Sequence, residues 1–212
     1  MSTPLELRTS LDCTLDHIRD VFNKITPITS AHGALRFPDL HKLSEGLFLS
    51  AWSHWEEFCR DLMIEDLAFK PDGVLRSEVR NFRTKNAPFR LAERIVNHPD
   101  HPDRFIEWHN YDTLKDRAKA LLGTGHRFVG LGDPWASDLK KVHTLRNAIA
   151  HKSDKAWHDF MEMVKSAPFS LPPKSRKGIT PGRFISVHDW KGNRVLLHTV
   201  ITIKGAALRL VH

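Results

Sequence analysis

The residues best suited to chemistry lie in one stretch near the middle of the chain, Leu145-Arg146-Asn147-Ala148-Ile149-Ala150-His151. A guanidinium holds two phosphate oxygens through its planar fork, which an ammonium group cannot imitate. An imidazole takes or gives a proton near neutral pH. Arg146, Asn147 and His151 can therefore hold a phosphate, orient it and move a proton beside it.

This stretch is predicted to end a helix that begins at Asp133-Pro134, with the aspartate as its cap and the proline in its first position. At ~100° per residue, Asn147 and His151 share one face of the helix. Arg146 and His151 are offset by roughly 140°. With the small Ala150 between them, the spacing predicts a shallow notch walled by cationic or polar groups, wide enough for a phosphate or for a second copy of the helix. The predicted buried stripe is Trp135, Leu139, Val142, Leu145 and Ile149.

Two long helices are predicted ahead of this one. The first opens on the capping box Thr3-Pro4-Leu5-Glu6 and runs to Pro27; the second, about Leu40 to Phe69, is the most apolar and is expected at the centre of a bundle. Within the second, Glu56 borders the apolar stripe while Glu57 points to solvent. A carboxylate at the edge of a core usually has a cationic partner, so we infer that Glu56 orients Arg146 or His151.

The pattern Arg-Asn-x-x-x-His, late in an all-helical stretch, resembles the HEPN superfamily, and within it the RiboL-PSP-HEPN-like branch. The helix around Trp55-Glu56-x-Phe58 is similar to the early HEPN helix with its apolar-Glu-x-aromatic signature. The order of helices from about Leu40 to Val164, more than half of the chain, also follows the family. Many members are metal-independent RNA endonucleases, so the resemblance implies such an enzyme without a cofactor.

The resemblance further implies a homodimer, in which two motif helices face each other across a two-fold axis and duplicate Arg146 and His151 in one cleft. His151 would be the acid and base and Arg146 the phosphate binder, with Asn147 and Glu56 as orienting groups. The products would be 2′,3′-cyclic phosphate and 5′-hydroxyl ends. The implied role is a toxin or antiviral defence effector, with an antitoxin or sensor protein as a further partner. The alternative is a non-catalytic HEPN-like module that binds RNA or a protein.

Several cationic residues are candidates for binding the RNA backbone, although a charged helix face is as readily explained by solvation. One group shares a face of a helix predicted over Asp72 to Phe82, and a second lies on the next predicted helix, Pro88 to Val96. These candidates are Arg76, Arg80, Arg83, Arg90 and Arg94, to which His143 on the motif helix is added.

The loop Asn97-His98-Pro99-Asp100-His101-Pro102-Asp103 has two other interpretations. Its histidines and aspartates could ligate a metal, but their spacing matches no zinc signature. Its His-Pro-Asp is similar to the J-domain co-chaperone motif, but the tyrosine-rich first helix and the basic run of that family are missing. In that case His98 or His101 would control an adaptor function.

Composition limits the classes of partner. A net charge of +7 and a pI near 9.6 favour polyanions, nucleic acid before membrane. No apolar run reaches membrane-spanning length and no signal-peptide core is visible, so we expect a cytoplasmic protein. Cys13 and Cys59 are both predicted to be buried free thiols. The chain has no P-loop, no His-Glu-x-x-His and no Cys-x-x-Cys pair, and no cofactor is expected.

The predicted fold is mainly α, a HEPN-like helical bundle with a small C-terminal β-hairpin. Residues 1–166 form the HEPN-like domain and residues 167–183 a basic, mobile Pro/Gly-rich linker. Residues 184–212 form the hairpin, with strands at Phe184–His188 and Arg194–Ile203 around Lys191-Gly192-Asn193. A lone hairpin is unstable in water, so it is expected to dock on the bundle.

Overall fold

The protein is mainly helical with a short antiparallel hairpin near its C-terminal end, as predicted. The computed structural model describes residues 3–69, 87–96, 108 and 110–212. In these residues the elements are, in order, α1 (Pro4–Ile25), α2 (Phe37–Phe69), α3 (Ala87–Val96), α4 (Tyr111–Leu122), a 3-10 turn (Arg127–Gly130), α5 (Trp135–His151), α6 (Asp154–Lys165), α7 (Pro173–Arg176), α8 (Pro181–Val187), β1 (Asp189–Trp190), β2 (Asn193–Arg194) and α9 (Val195–Val211).

Helix α2 is the centre of the bundle. It packs against α1, α3, α5 and α8, and its predicted apolar stripe is buried along its length. Helix α1 begins with the predicted capping box, in which the Thr3 hydroxyl accepts from the Glu6 N–H and the Glu6 carboxylate accepts from the Thr3 N–H. Because both long helices turn a continuous apolar face inward, α2 has a fixed rotation about its axis, and this rotation places Glu56.

Helix α5 carries the motif and lies against α2, α6 and α9. Its stripe is buried as predicted at Leu139, Val142, Leu145 and Ile149, whereas Trp135 is half-buried. The predicted start is wrong by a residue: Pro134 takes the cap position, and no side chain among the described residues caps the helix. A proline at the cap leaves no place for the aspartate before it to fulfil that role.

The turn after the motif is tight. Lys152 adopts the left-handed conformation (φ 48°), and Ser153 caps α6 by accepting from the Ala156 N–H. The start of α6 is therefore held next to His151, the last residue of α5.

The predicted hairpin is present, but its strands are much shorter than expected. Asp189 pairs with Arg194 and Trp190 with Asn193, around a turn whose residues Lys191 (φ 49°) and Gly192 (φ 82°) both have positive φ, as a two-residue hairpin turn requires. The residues predicted as strands are helical: Phe184–Val187 lies in α8, and Val195–Ile203 lies in α9. Burial explains the error, because a helix buried on most of its surface tolerates β-branched residues that would also suit a strand.

The segment 167–183, predicted to be a mobile linker, contacts the bundle. The Phe169 ring packs edge-on against Phe184 and Trp190, at centroid distances of 5.0 and 5.2 Å. Ile179 is buried, and the Gly182 N–H donates to the Glu45 carboxylate of α2. The apolar residues of this basic stretch therefore anchor it to the core.

Of the two cysteines, Cys59 is buried as predicted, whereas the prediction for Cys13 is wrong. Cys13 is exposed because Leu11 and Leu15, the buried residues on either side of it, turn the opposite face of α1 inward. Among the described residues, no helix combines the length and the apolar character needed to cross a membrane.

Candidate functional site

The candidate site is built on the contact between α2 and α5, where Glu56 and Arg146 meet. The Arg146 Nε atom lies 4.0 Å from the Glu56 Oε1 atom, and the two side chains are only 16% and 17% exposed. Glu57 is exposed, so the predicted difference between the two neighbouring glutamates is confirmed. The predicted pairing of Glu56 with Arg146 is also present as a contact, and any catalytic role of Glu56 stays a prediction.

Arg146 reaches His151 directly, which corrects the expected notch. The Arg146 Nη1 atom lies 2.8 Å from the His151 Nε2 atom. The helical offset gives the directions of the Cβ atoms, but a long arginine side chain can span that offset and reach His151, while Ala150 itself is exposed. Since a guanidinium can only donate, Nε2 must be the acceptor, and the neutral ring carries its hydrogen on Nδ1.

Asn147 lies between two other members of the motif helix rather than beside His151. Its Oδ1 accepts from Arg146 Nη1 at 3.2 Å, and its Nδ2 is 3.0 Å from His143 Nε2. The amide therefore holds the guanidinium on one side and the imidazole of His143 on the other. The orienting role expected of Asn147 applies to Arg146 and His143, and His151 is positioned through Arg146.

His143, proposed from the sequence as an RNA-binding residue, is half-buried. Its ring stacks on the buried indole of Trp52 of α2, at 6.5 Å between centroids and 25° between planes. With Asn147 on its edge and Trp52 against its face, this ring is held in place. Its position favours a supporting role for His143 behind the more exposed His151.

Burial raises the pKa of the Glu56 carboxyl, while the positive charge of Arg146 and the neighbouring Trp52 indole act in the opposite direction. The carboxylate is thus taken from water at a cost that its cationic neighbour offsets only in part. Glu56 also helps to raise the pKa of the buried Cys59 thiol, although burial is the main cause. From the 17% exposure of its side chain and the buried Trp52 and Cys59 near it, we infer a largely apolar environment for Glu56.

The accessibility of the groups increases toward the end of α5. Glu56 and Arg146 are mostly buried, His143 and Asn147 are half-buried, and His151 is exposed. An anion that approaches this end meets an imidazole and a guanidinium held from below. Within the described residues, no group of three or more His, Cys, Asp or Glu side chains could hold a metal ion. The arrangement is suited to binding an oxyanion and transferring a proton next to it.

The remaining predicted RNA-binding residues are only partly covered by the structure. Arg90 and Arg94 are exposed, one turn apart on α3. Arg76, Arg80 and Arg83, the helix predicted over Asp72 to Phe82 and the loop Asn97 to Asp103 lie outside the described residues. The structure therefore brings together Arg146, Asn147, His151, Glu56 and His143.

A second polar cluster on α5 was missed. Asp138 is buried, and its Oδ2 accepts from Lys191 Nζ at 2.7 Å and lies 3.3 Å from His198 Nε2. The cluster joins the hairpin turn and α9 to the motif helix. The sequence did contain an indication of this cluster. The helical repeat places Asp138 beside the buried Leu139 and Leu145, and a buried carboxylate requires a partner.

A cavity of about 350 Å³ lies elsewhere, at the junction of α2, the 3-10 turn and α9. Its central ion pair joins Arg127 to Asp66 through two hydrogen bonds of 2.7 and 2.9 Å, and Arg127 also donates to the Leu210 carbonyl. The cavity is lined by Asp66, Leu122, Gly125, His126, Arg127, Leu210, Val211 and His212. None of these residues belongs to the motif, and the sequence analysis did not single them out.

No protein-family model, no curated protein and no solved structure matches this chain. The resemblance to the HEPN superfamily therefore depends on the motif residues themselves, and a function has to be argued from the geometry around Arg146 and His151.

Proposed function

We propose that this protein is a metal-independent endoribonuclease of HEPN type, with His151 as the proton-transfer group and Arg146 as the phosphate binder. The observation that carries the proposal is the 2.8 Å contact between the two side chains at the exposed end of α5, with Glu56 behind the guanidinium. A phosphate binder and a proton carrier thus lie within one hydrogen bond of each other. The net charge of +7 favours a polyanionic substrate.

The reaction would transfer the phosphoryl group within the RNA strand. His151 takes the proton of the 2′-hydroxyl as its oxygen attacks phosphorus, and the P–O2′ bond forms. The P–O5′ bond breaks, and a protonated imidazole gives its proton to the departing 5′-oxygen. Arg146 stabilises the charge that develops on the non-bridging oxygens. The products are a 2′,3′-cyclic phosphate and a 5′-hydroxyl, with no net change in protons.

Binding of the substrate would also release the base. In the free protein the lone pair on His151 Nε2 accepts a guanidinium N–H, so it is not available for a 2′-hydroxyl proton. Phosphate oxygens form stronger, charge-assisted hydrogen bonds with a guanidinium than a neutral ring nitrogen does. The scissile phosphate therefore draws Arg146 away, and Nε2 becomes free at the moment the substrate is in place.

The reaction needs an acid as well as a base, and each chain offers one exposed imidazole in the motif. We propose that a homodimer supplies the second, through an isologous contact of two α5 helices. Ala150 is exposed between Arg146 and His151, so a second helix can approach closely at this point.

By analogy with the family, the biological role would be that of a toxin or a defence effector, restrained by an antitoxin or a sensor protein.

The experiment that tests the proposal is incubation of the wild type and a His151→Ala variant with total RNA in the presence of a chelator. We expect the wild type to leave 2′,3′-cyclic phosphate and 5′-hydroxyl ends, and His151→Ala to bind RNA without cleaving it. His17→Ala, at an exposed histidine of α1, is the matched control and should cleave normally. Cleavage that His151→Ala retains, or that the chelator stops, would refute the proposal.

One observation favours a second candidate function, a non-catalytic module that binds RNA or a protein. The guanidinium already occupies the lone pair that a base would need, and the same contact would also serve simply to fix the end of α5. The experiment separates the two functions, since a binding module leaves RNA intact in the wild type and in both variants.

A further inference from the structure

An exposed tryptophan follows the motif closely in the chain and in space. Trp157 lies in the first turn of α6 and is 43% exposed. From His151 to Ser153 the chain spans at most about 7 Å, and one helical turn adds about 6 Å. The Cα atoms of His151 and Trp157 are thus within roughly 13 Å of each other. Side chains of a helix also lean toward its N-terminal end, which here is the end next to His151.

The indole is supported from behind. Its ring centroid lies 5.5 Å from that of Phe160, at 48° between the planes, and Phe160 is fully buried. Ala156, the residue before it, is buried against the bundle. An aromatic ring fixed against a core loses little conformational freedom when a ligand binds to it, which is why such rings make effective contacts.

The neighbourhood of Trp157 on α6 is polar, which limits what its ring could bind. The exposed residues around it are Lys152, Ser153, Asp154, Lys155, His158 and Asp159. A protein interface of ordinary size needs a contiguous patch with an apolar centre, and one isolated indole does not provide it. The two lysines and two aspartates balance each other, so charge alone does not select a ligand here. The single planar indole of Trp157 is best suited to stack on a single planar group of a ligand.

We infer that Trp157 stacks on an unpaired base of the RNA bound at the Arg146–His151 site, and so makes this site selective for single-stranded RNA. The inference rests on the proposed function for the identity of the ligand. Stacking on an aromatic side chain requires a base with a free face, which a base inside a duplex does not offer. The +7 charge of the chain attracts either form of RNA, and the indole distinguishes between them.

The test measures RNA binding in the full-length chain with His151→Ala as background, so that cleavage does not intervene. The probes are a single-stranded adenylate oligomer and a duplex RNA of the same length. Adding Trp157→Ala should weaken binding of the single strand about tenfold, the lower part of the range expected for losing one base–aromatic stack. Binding of the duplex should not change. Trp157→Phe keeps an aromatic face and should retain most of the affinity.

Phe37→Ala is the matched control, because Phe37 is another exposed aromatic residue, at the start of α2. It lies 19 residues from Glu56, roughly 28 Å along the helix, and its loss should leave both affinities unchanged. Fluorescence gives a direct readout: binding of the single strand should quench the part of the tryptophan emission that comes from Trp157. Trp157→Phe lacks this emission and should not show this quenching.

Two binding results would overturn the inference: an unchanged affinity of Trp157→Ala for the single strand, or an equal loss of affinity for the single strand and the duplex. A changed oligomeric state of Trp157→Ala, measured by light scattering, would also overturn it, because the indole would then contact a second copy of the chain. Failure of the proposed function looks different. In that case the wild type does not cleave RNA, whatever Trp157→Ala does to binding.

Discussion

At the Arg146 guanidinium, two interactions share one nitrogen. Nη1 contacts both Asn147 Oδ1 and His151 Nε2, while Nε faces Glu56. Nη1 carries two hydrogens, and both are engaged. A phosphate that uses this nitrogen must replace either Asn147 or His151 as its partner. The position of His151 is therefore coupled to what Arg146 binds.

The raised pKa of Glu56 gives the site a dependence of stability on pH. Because the folded protein holds this proton more tightly than the unfolded chain, the contribution of Glu56 to the free energy of unfolding is complete below the ordinary pKa of 4.5 and is lost as pH rises through the folded value. Glu56→Gln should remove this decline. The measurement is urea unfolding of the wild type and the variant over an acid-to-neutral pH series.

Glu57→Gln is the control for this prediction, because Glu57 is the neighbouring, exposed carboxylate. In Glu57→Gln, the free energy of unfolding should fall with rising pH as it does in the wild type. An identical slope in the wild type and Glu56→Gln would mean that Glu56 is solvated in the folded protein, and that the apolar environment inferred for it is wrong.

At the scale of single residues, the sequence predicts directions better than contacts. The helical repeat distinguished Glu56 from Glu57 because burial depends on the direction of Cβ. It failed for the notch between Arg146 and His151, since the tip of an arginine lies several bonds beyond its Cβ. For Asn147 the helical repeat predicted the face but did not single out the partner, because both the i+4 and the i−4 neighbour lie on that face and the amide contacts His143.

Among the elements, α8 packs more closely on α2 than any sequence pattern indicated. A Cβ atom built on Gly182 would lie 2.6 Å from the His41 carbonyl oxygen and 2.7 Å from the Glu45 carboxylate. We expect Gly182→Ala to lower the free energy of unfolding by about 1–3 kcal/mol, because the clash involves backbone. Chemical denaturation checks this value.

Gly46→Ala is the matched control, at an exposed glycine of α2, the helix that α8 contacts. Nothing lies within 4 Å of its added Cβ, so relief from glycine's conformational entropy should raise stability by about 0.5–1 kcal/mol. Opposite signs for the two variants support the close approach of α8. If Gly182→Ala were as stabilising as Gly46→Ala, the position of α8 would have to be revised.

The cluster of Asp138, Lys191 and His198 links the C-terminal elements to the motif helix. Burial lowers the pKa of His198 and the nearby Lys191 acts in the same direction, while Asp138 opposes them. The unfolded chain therefore binds a proton that the folded chain resists, and stability is lost as pH falls below about 6.5. His198→Gln should therefore reduce the dependence of the free energy of unfolding on pH, measured between mildly acidic and neutral pH.

His17→Gln provides the comparison, since His17 is exposed on α1 and should leave the curve unchanged. The half-buried His41 and His188 and the buried His126 also have pKa values lowered by burial, so only the difference between variants identifies His198. Equal curves for the wild type and His198→Gln would exclude a contribution from this cluster.

The elements themselves were largely predictable, with one instructive exception. Caps, prolines and helical spacing predicted α1, α2 and α5 because each is amphipathic, with one buried stripe. Helix α9 has apolar residues on most of its surface and no such stripe. A continuous apolar run is typical of a buried strand or of a buried helix, and only packing against α1, α5 and α8 decides between them.

On the scale of the whole molecule, the single exposed imidazole of the motif requires a second chain if the proposed reaction is to have both an acid and a base. Ala150→Gln tests this requirement. The site is exposed, and glutamine is a good helix former, so the fold should be retained. A longer side chain between Arg146 and His151 should keep two α5 helices apart. We expect a monomer by light scattering and a loss of RNA cleavage of about a hundredfold, since misplacement by an ångström can cost that much.

Ala120→Gln introduces the same side chain at an exposed position on α4 and should change neither mass nor rate. In Ala150→Gln, the loss of the dimer and the loss of RNA cleavage must also occur together, because in the proposed composite cleft only the dimer is active. If the variant is monomeric yet cleaves RNA at the wild-type rate, one chain carries both proton transfers. His143, the other histidine of α5, would then be the candidate for the second group.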